Sequence, residues 1–462
     1  MPIEMAMPSS KNVAAITSQT IHALGMTLLQ SGEVHGAAFQ FRKALGMAPC
    51  FTDAYLGLGH CLCLLGKFDK AIEVYDQALR NSLDIAAVWN NRGNALLELH
   101  RYYDAAESYS RALELAPDFH DTRVALATCY QAVGQFAKAQ SACEAVLKAD
   151  PDHAEAHWNR ALLLLLKGDY LEGWREYEWR WLKRKFTSPL RNFAKPLWQG
   201  EPVEGKTVLI HAEQGFGDTI HFCRYVPLVA ALGAQVVFEC HPPLASLVKS
   251  LARGGVSVVA MGEPLPSFDL QVPLMSLPMI FNTTVETIPD KVPYLAPPAG
   301  RVSFWQSQMS EKKSFKVGLC WAGKSYPDPG RSCPAELLAP LAELDGVSLY
   351  SLQIGWDGAL PLPMSDLTGL IHNFGDTAAL ISRLDLVITV DTAVAHLAGA
   401  LGTATWVMLP YVADWRWMTE RNDSPWYPTM RLFRQALPND WEETIRRIAC
   451  SLKSRSSFMA GD

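Results

Sequence analysis

The residues best suited to chemistry lie where apolar runs meet small-residue stretches in the second half of the chain. The run 386–390 ends in Asp391 and Thr392, and small residues follow from Ala393. A buried strand that leads into a helix leaves free backbone amides at this junction, and a small first turn lets a diphosphate approach them. His396 lies one turn after Thr392 on the same helix face, where it could donate to a phosphate. The alternative interpretation is that Asp391 only caps the helix and His396 only packs in the core.

A second junction of this kind follows the run 206–213. Its residues 215–218, Gly-Phe-Gly-Asp, are similar to the glycine pattern that binds dinucleotides, and Glu239 stands at about the distance of the ribose-binding acid of that pattern. However, Ile220 replaces the third glycine, and Asp218 puts a negative charge where the pyrophosphate would lie. The sequence therefore does not favour a nicotinamide cofactor, and it leaves Asp218 as a carboxylate at the start of a helix.

Residues 318–325 match the Walker A pattern of phosphate-binding loops and follow an apolar run. A P-loop must continue directly into a helix, but Pro327 and Pro329 follow within four residues of the string. Proline removes helix donors and pushes the preceding residue out of the α region. We therefore reject a P-loop and predict an irregular loop that carries Lys324 and Arg331.

Short β-branched runs alternate with helical stretches throughout the second half of the chain, which is typical of a parallel sheet with crossover helices. Such runs occur at 206–213, 236–240, 257–260, 268–274, 315–321, 347–353, 386–390 and 404–409. A proline-rich stretch at 289–298 divides them into two sets. The sequence predicts a linker at 188–205 and two Rossmann-like domains, 206–298 and 314–452, with ligands at the carboxyl ends of the strands.

The first half of the chain repeats with a period of 34 residues and no insertions. Five units fit, at 18–51, 52–85, 86–119, 120–153 and 154–187. Small and aromatic residues recur at fixed phases, as in Gly25, Gly59 and Gly93 and in Phe41, Tyr75 and Tyr109. Two antiparallel helices approach closely only where a small residue faces a large one, so the pattern predicts an α-solenoid of helical hairpins.

These phases resemble the tetratricopeptide repeat family over residues 18–187, and 86–119 match it best. In the α/β half, HAEQGFGDTIHF at 211–222 and VDTAVAHLAGALGTATWVMLP at 390–410 are similar to the ADP-heptose:lipopolysaccharide heptosyltransferases, glycosyltransferase family 9. The strings GWREYEWRW, RSCP, DWRWMTERNDSPWYP and RLFRQ resemble bacterial proteins that fuse the repeats to such a domain. These fusions share the layout of the O-linked N-acetylglucosamine transferases.

The resemblance implies the GT-B fold and an inverting, metal-independent glycosyltransferase that uses an ADP- or UDP-type nucleotide sugar. Asp218 matches the catalytic base of the family, and His221 and Glu213 are the next candidates in the same loop. The implied diphosphate site consists of Lys324, Arg331, Asp391, Thr392, Ala393 and His396. We expect a donor or acceptor pocket among Gln214, Gly215, Gly217, Trp321, Gln353, Trp356, Asp414, Trp415 and Arg416. No metal is expected, because the α/β half has no Asp-x-Asp motif.

The composition of the chain bears on whether it binds nucleic acid, on the state of its cysteines and on whether it spans a membrane. The 41 Lys and Arg against 47 Asp and Glu give a net charge of -6 with no dense basic stripe, so nucleic acid is not expected. The 10 cysteines form no Cys-x-x-Cys pair and are predicted to be reduced thiols, mostly in the core. The sequence shows neither a signal peptide nor an apolar run long enough for a bilayer, which favours a cytoplasmic protein with no transmembrane segment.

We expect the helical array to hold a protein or peptide in its groove, with a glycan or protein as the acceptor. A polar row could line that groove, formed by Asn90, Asn91, Asn94, Asn159 and Arg160. The same residues could instead be solvated helix faces. The alternative function is an inactive α/β half that serves with the repeats as an interaction scaffold.

Overall fold

The computed structural model describes residues 10–184, 186–309, 314–324 and 329–459. These residues form two compact units, of which one ends at Arg160 and the other begins at Ala161. Ser325 and Pro327, which belong to the Walker-like string and its continuation, lie outside the described residues.

The first unit is built from antiparallel helical hairpins, as the 34-residue period predicts. Its helices are α1 (Ser10–Gln30), α2 (Val34–Met47), α3 (Thr52–Leu64), α4 (Phe68–Arg80), α5 (Ala86–Glu98), α6 (Tyr102–Leu115), α7 (His120–Ala132), α8 (Phe136–Ala149) and the first part of α9 (Ala154–Lys167). From α1 to α8, each helix packs against the next along the chain. The hairpin predicted for residues 86–119 is confirmed, because α5 and α6 fill that unit.

The recurring small and aromatic residues have the packing role expected of them. Tyr75 and Tyr109 are buried. A Cβ atom added to Gly59 would lie 2.3 Å from the Tyr75 ring, and one added to Gly93 would lie 2.6 Å from the Tyr109 ring. No side-chain carbon fits at such distances, so glycine is what lets the two helices of each hairpin come this close.

We expect Gly93→Ala to lower the free energy of unfolding by about 1–3 kcal/mol, because the new methyl group overlaps the Tyr109 ring. Urea denaturation followed by circular dichroism measures this change. Gly46→Ala is the matched control, since Gly46 lies in α2 with nothing within 4 Å of the added Cβ. Its substitution should be neutral or stabilising by up to about 1 kcal/mol. Equal effects at the two positions would contradict the packing argument.

The second unit contains two sheets, and every strand pair in them is parallel. The first sheet has the order β3-β2-β1-β4, with β1 (Thr207–His211), β2 (Gln235–Cys240), β3 (Val256–Ala260) and β4 (Leu270–Pro273). The second has the order β6-β5-β7-β8-β9, with β5 (Phe315–Cys320), β6 (Val347–Ser351), β7 (Leu386–Val390), β8 (Thr405–Leu409) and β9 (Met430–Arg434). The eight predicted runs are confirmed as strands, and β9 is a strand that the sequence did not predict.

Helices connect the strands and cover the sheets. They are α10 (Tyr170–Tyr177), α11 (Phe216–Phe222), α12 (Val226–Ala231), α13 (Ala245–Val248), α14 (Leu277–Ile280), α15 (Ala299–Gln308), α16 (Phe374–Ile381), α17 (Ala393–Ala400) and α18 (Trp441–Met459). The strand order reverses between β1 and β4 and again between β5 and β7. Parallel sheets bind ligands at such switch points, so the loops after β1, β5 and β7 are where a site is expected.

The sequence assigned to a fifth repeat extends from the first unit into the second. Helix α9 runs across the division at Arg160, whereas α10 and the 3-10 turn Glu178–Trp181 lie in the second unit. Within the described residues, no helix combines the length and the apolar character needed to cross a bilayer.

Candidate active site

The loop after β1 carries Asp218 at the start of α11. The chain turns at Gln214, whose φ of 59° lies in the left-handed region. The amide of Gly215 then donates to Asp218 Oδ2 at 2.9 Å. One carboxylate oxygen of Asp218 therefore caps its own helix.

Arg416 binds the other carboxylate oxygen of Asp218. Its Nη2 donates to Asp218 Oδ1 at 2.7 Å, and its Nη1 donates to Asp414 Oδ1 at 2.9 Å. The guanidinium is buried and lies 4.3 Å from the centre of the Trp415 ring. Arg416 thus links Asp218 to Asp414, which lies in the other half of the unit.

The pKa of Asp218 responds to two opposing effects. Burial raises the pKa of this carboxyl group, while Arg416 and the Gly215 amide act to lower it. A raised pKa makes a carboxylate a stronger base, and the ion pair with Arg416 keeps it in the deprotonated form that accepts a proton. The arrangement suits a general base.

The four residues Phe-Gly-Asp-Thr occur twice, at 216–219 in α11 and at 374–377 in α16. Asp376 has the same helix position as Asp218 and pairs with Arg301. The Asp376 side chain is only 2% exposed, whereas that of Asp218 is 22% exposed. Of these two carboxylates, Asp218 is the one that a substrate can reach.

The beginning of α17 lies directly against α11. Thr392 Oγ1 accepts from the Val394 amide at 3.3 Å and caps α17. A Cβ atom on Gly217 would lie 3.1 Å from His396 Cδ2 and 3.6 Å from Ala393 Cα. The two junctions singled out in the sequence, one from each half of the unit, are therefore neighbours.

Asp391, the residue before the α17 cap, lies in surroundings that oppose its ionisation. Burial and then the charge of Asp414 raise the pKa of Asp391 to about 6, although Arg416 and Arg331 act in the other direction. Its side chain is 16% exposed. Acids held at such positions are concentrated in functional sites.

We expect Asp391→Asn to stabilise the protein at neutral pH. Because the pKa of about 6 in the folded state exceeds the ordinary value of 3.8, the folded state loses stability as the pH rises from 4 to 6. The asparagine variant does not ionise, so it does not lose this free energy of unfolding, which is on the order of 3 kcal/mol. Thermal unfolding at pH 4, 6 and 8 measures the difference from wild type, with exposed Asp357→Asn as the control. A difference that does not grow between pH 4 and 6 would contradict the prediction.

His396 lies inside the unit. Its Nδ1 is 3.0 Å from Tyr427 Oη, and its ring stacks on Trp417. Its Nε2 is 3.9 Å from Asp391 Oδ1. Burial holds the pKa of His396 well below its usual range, so the ring is neutral. The geometry therefore places His396 between Asp391 and Tyr427, and its contact with a diphosphate stays a prediction.

Neither alternative base of the α11 region is available to an acceptor. His221 is fully buried, and its Nδ1 lies 2.8 Å from Tyr427 Oη. Burial lowers the pKa of His221 well below its usual range. Glu213 is also buried, and both of its oxygens bind Arg180. Asp218 is thus the most accessible of the three candidates.

The loop after β5 brings positive charge to the α17 N-terminus. A Cβ atom on Gly323 would lie 3.0 Å from Arg331 Nε and 3.3 Å from Thr392 Cγ2, so Arg331 and Thr392 flank the same glycine. Arg331 Nη2 donates to the Lys324 carbonyl at 3.0 Å, and the Lys324 side chain is exposed. Arg331 therefore lies beside the N-terminus of α17, and the Lys324 backbone is bound to Arg331.

Three residues of the predicted pocket have structural roles instead. Gln353 Oε1 accepts from the amides of Trp321 and Ala322 at 3.0 and 2.8 Å, so it fixes the loop after β5. Trp321 is buried in the hydrophobic core of the second sheet, and Trp415 is buried among other aromatic rings. Trp356 differs from them because it is exposed, although its ring contacts Trp321 and its Nε1 donates to the Ala359 carbonyl at 3.0 Å.

The polar row of the helical array is largely used within the array. Asn90 Oδ1 accepts from Thr122 Oγ1 at 2.7 Å, which joins α5 to α7. Asn94 Oδ1 accepts from Tyr109 Oη at 2.8 Å. Asn159 is buried, so it does not line a groove, whereas Asn94 is exposed.

The described residues contain no set of three or more His, Cys, Asp or Glu side chains arranged to hold a metal ion. The 10 cysteines are free thiols, and most of them are buried, as the sequence predicts. Two cysteines, Cys50 and Cys450, are exposed.

Models of the tetratricopeptide repeat family match residues 28–90, 86–119 and 124–178. The helical array is therefore a tetratricopeptide repeat array, and the predicted repeat family is confirmed for this part of the chain. The last match includes α10, which belongs to the second unit.

Protein FlbA of Caulobacter vibrioides is 29% identical over 438 residues, which cover 87% of this chain and 73% of FlbA. This similarity extends far beyond the repeats. The tetratricopeptide repeat and J domain-containing co-chaperone DNJ1 of Cryptococcus neoformans is 30% identical over 135 residues, which cover 29% of this chain and 25% of the co-chaperone. The chain thus spans about three quarters of FlbA and a quarter of the co-chaperone.

Among solved structures, MamA has a TM-score of 0.32 and 22% identity, over 34% of this chain and 91% of MamA. YrrB, described as a TPR protein with an unusual peptide-binding site, has a TM-score of 0.32 and 21% identity, over 37% of this chain and 90% of YrrB.

Proposed function

We propose that the second unit is an inverting, metal-independent glycosyltransferase with the GT-B fold. It transfers a sugar from a nucleotide-diphosphate donor to a protein or glycan that the repeats help to hold. The observation that carries this proposal is the close approach of α11, which bears Asp218, to the N-terminus of α17 beside Gly217. A base and an anion site from two different halves of one unit are the parts that this reaction needs.

In the proposed reaction, the acceptor hydroxyl gives its proton to Asp218 while its oxygen attacks the anomeric carbon of the donor. The bond from that carbon to the diphosphate breaks, and the leaving diphosphate keeps the electron pair. The positive end of the α17 helix dipole stabilises the developing negative charge, together with Lys324 and Arg331. The configuration at the anomeric carbon inverts because attack and departure occur on opposite faces.

We propose independence from metal because Arg331 lies near Thr392 at the start of α17, and the exposed Lys324 follows in the same loop. Arg331 and Lys324 supply the positive charge that a divalent ion would otherwise supply to a leaving diphosphate. We also propose Trp356 as a stacking surface for the nucleotide base, because its indole is exposed in the loop after β6. ADP- and UDP-sugars both fit this description.

Binding and turnover test the proposal directly. We expect an ADP- or UDP-sugar to bind with a micromolar Kd in isothermal titration calorimetry, and to release nucleotide diphosphate in the presence of EDTA. Turnover that EDTA abolishes would contradict the metal-independent mechanism. A mixture of nucleotide sugars, followed by mass spectrometry of the retained compound, identifies the donor.

We expect Arg331→Met to weaken donor binding by about ten- to a hundredfold, which corresponds to the loss of roughly 1.5–3 kcal/mol from a charge-assisted hydrogen bond. Calorimetric titration of the variant with the retained nucleotide sugar measures the change. Arg383→Met is the control, because Arg383 is an exposed arginine of the same half of the unit. If Arg331→Met bound the donor as tightly as wild type, the diphosphate would not bind at the loop after β5.

An interaction scaffold is the second candidate function. One observation favours it, namely that both Asp218 oxygens already accept hydrogen bonds, from Gly215 and from Arg416. The tetratricopeptide array supports a peptide or protein partner under either proposal. A folded protein that binds no nucleotide sugar would identify the scaffold as the correct function. We propose a cytoplasmic location for both, because the 10 thiols are unpaired.

A further inference from the structure

Arg180 is a buried cation at the end of the repeat sequence. It lies in the turn Glu178–Trp181 after α10, and its side chain is 0% exposed. Its Nε and Nη2 donate to the two oxygens of Glu213 at 2.9 and 2.8 Å, and its Nη1 donates to Glu178 Oε1 at 2.5 Å. A charge at this depth requires partners in fixed positions. Arg180 and Glu213 therefore hold each other's side chains in position.

Glu213 stands at the entrance of the loop that carries the proposed base. Its Oε1 also accepts from the Met275 amide at 3.1 Å, which ties it to the end of β4. The next residue, Gln214, has the left-handed backbone conformation. Gly215 follows, and its amide holds the Asp218 carboxylate. The position of Glu213 thus sets the position of the Gly215 amide, which donates the hydrogen bond to Asp218.

The segment that carries Arg180 is itself firmly attached to the second unit. Trp174 Nε1 in α10 donates to the Thr283 carbonyl at 3.1 Å. At the end of α10, Tyr177 Oη accepts from Gln214 Nε2 at 3.2 Å. Because α10 is held at both places, Arg180 presents its guanidinium to the loop from a rigid support.

We propose that Arg180 is a positioning residue for Asp218. Through both oxygens of Glu213 it sets the backbone of residues 213–215, and so the direction in which the Gly215 amide orients the Asp218 carboxylate. The inference rests on the proposed function, in which Asp218 is the base. It gives the last part of the repeat sequence a role in the chemistry in addition to the binding of a partner.

The double variant Arg180→Met/Glu213→Met separates positioning from folding. Apolar side chains of similar size usually replace a buried ion pair at little cost, but here Glu178 and the Met275 amide lose a partner as well. The variant should therefore melt at a lower temperature than wild type and still be folded at 25 °C, where kcat is measured. We expect kcat to fall by about ten- to a hundredfold and the donor KM to stay within about twofold, because misplacement of a reacting group slows the chemical step. A kcat equal to that of wild type would overturn the proposal.

Arg180→Lys keeps the inference testable if the double variant does not fold. Lysine retains a positive charge beside Glu213, but one ammonium group cannot hold both carboxylate oxygens in the planar arrangement of a guanidinium. We expect a lower kcat with an unchanged KM, and an unchanged kcat would count against the proposal. The control is Arg92→Met/Asp76→Met, which removes a 2.7 Å ion pair of the first unit and should leave kcat as it is.

Hydrogen exchange tests the inference without any substrate. The Gly215 amide donates to Asp218, so it should exchange slowly in wild type and faster in Arg180→Met/Glu213→Met. If wild type transfers no sugar, the proposed function fails while this measurement still reports on the loop. Equal protection of the Gly215 amide in both proteins would overturn the positioning role.

Discussion

Asp218→Asn is expected to lower the rate of sugar transfer by about 10²–10⁴-fold, the usual contribution of a general base. Asparagine keeps the shape of the side chain, and its oxygen still accepts from the Gly215 amide that caps α11. Donor affinity should change little, because the diphosphate is proposed to bind at α17. Product formation under single-turnover conditions and calorimetric donor titration measure the two quantities separately.

Asp376→Asn is the control for this prediction, because Asp376 occupies the same position of the second Phe-Gly-Asp-Thr string. Its loss removes an ion pair with Arg301 and should lower the melting temperature without lowering kcat. If Asp218→Asn transferred sugar as fast as wild type, Asp218 would be only a helix cap. The base would then have to be another group, although the next candidates, His221 and Glu213, are both buried.

Arg416→Met is expected to lower the free energy of unfolding by about 1–3 kcal/mol, because it removes charge-assisted hydrogen bonds from Asp414, which is exposed, and from Asp218, which is partly buried. Arg416 is the shared partner of Asp218 and Asp414, and the attraction of Asp414 and then of Asp218 raises the pKa of Arg416 against the effect of burial. Urea denaturation at pH 7.5 measures the loss. The added variant Arg416→Met/Asp218→Asn should recover part of it, since one unpaired charge is gone.

Arg421→Met is the matched control from the same loop. Arg421 pairs at 2.6 Å with Asp423, whose side chain is largely exposed, so the pair should contribute between 0 and about 1 kcal/mol. A loss below 1 kcal/mol for Arg416→Met would mean that water replaces the guanidinium at both carboxylates. The site would then be more open than the burial of Arg416 indicates.

The repeats and most strands could be predicted because their patterns are local. The phase that places Gly93 opposite Tyr109 depends on one spacing repeated along the chain, and the structure confirms it. The runs that form β7 and β8 are continuous apolar segments, which indicate strands buried on both faces. Strand β9 was missed because Arg431 and Arg434 interrupt its apolar character.

The site could be predicted only in part, because the direction of a side chain depends on packing between distant segments. Asp218 and Thr392 were found from their positions after strands, and the structure places their helices side by side. An amide or indole after a strand can face the cleft or the core, and Gln353 and Trp321 turn out to face inward. The ion pair between Arg180 and Glu213 joins residues 33 positions apart, and the sequence around neither residue indicates it.

Repeat arrays gain and lose units in evolution because each repeat contacts only its neighbours. In this chain, only the hairpins before α9 can be gained or lost in this way, since the chain passes at Arg160 from one compact unit into the other. Loss of a hairpin before α9 would leave the interior of the second unit intact, whereas loss of α10 would remove Trp174 from its aromatic core. Relatives of this chain should therefore differ in the number of hairpins before α9 and retain α10.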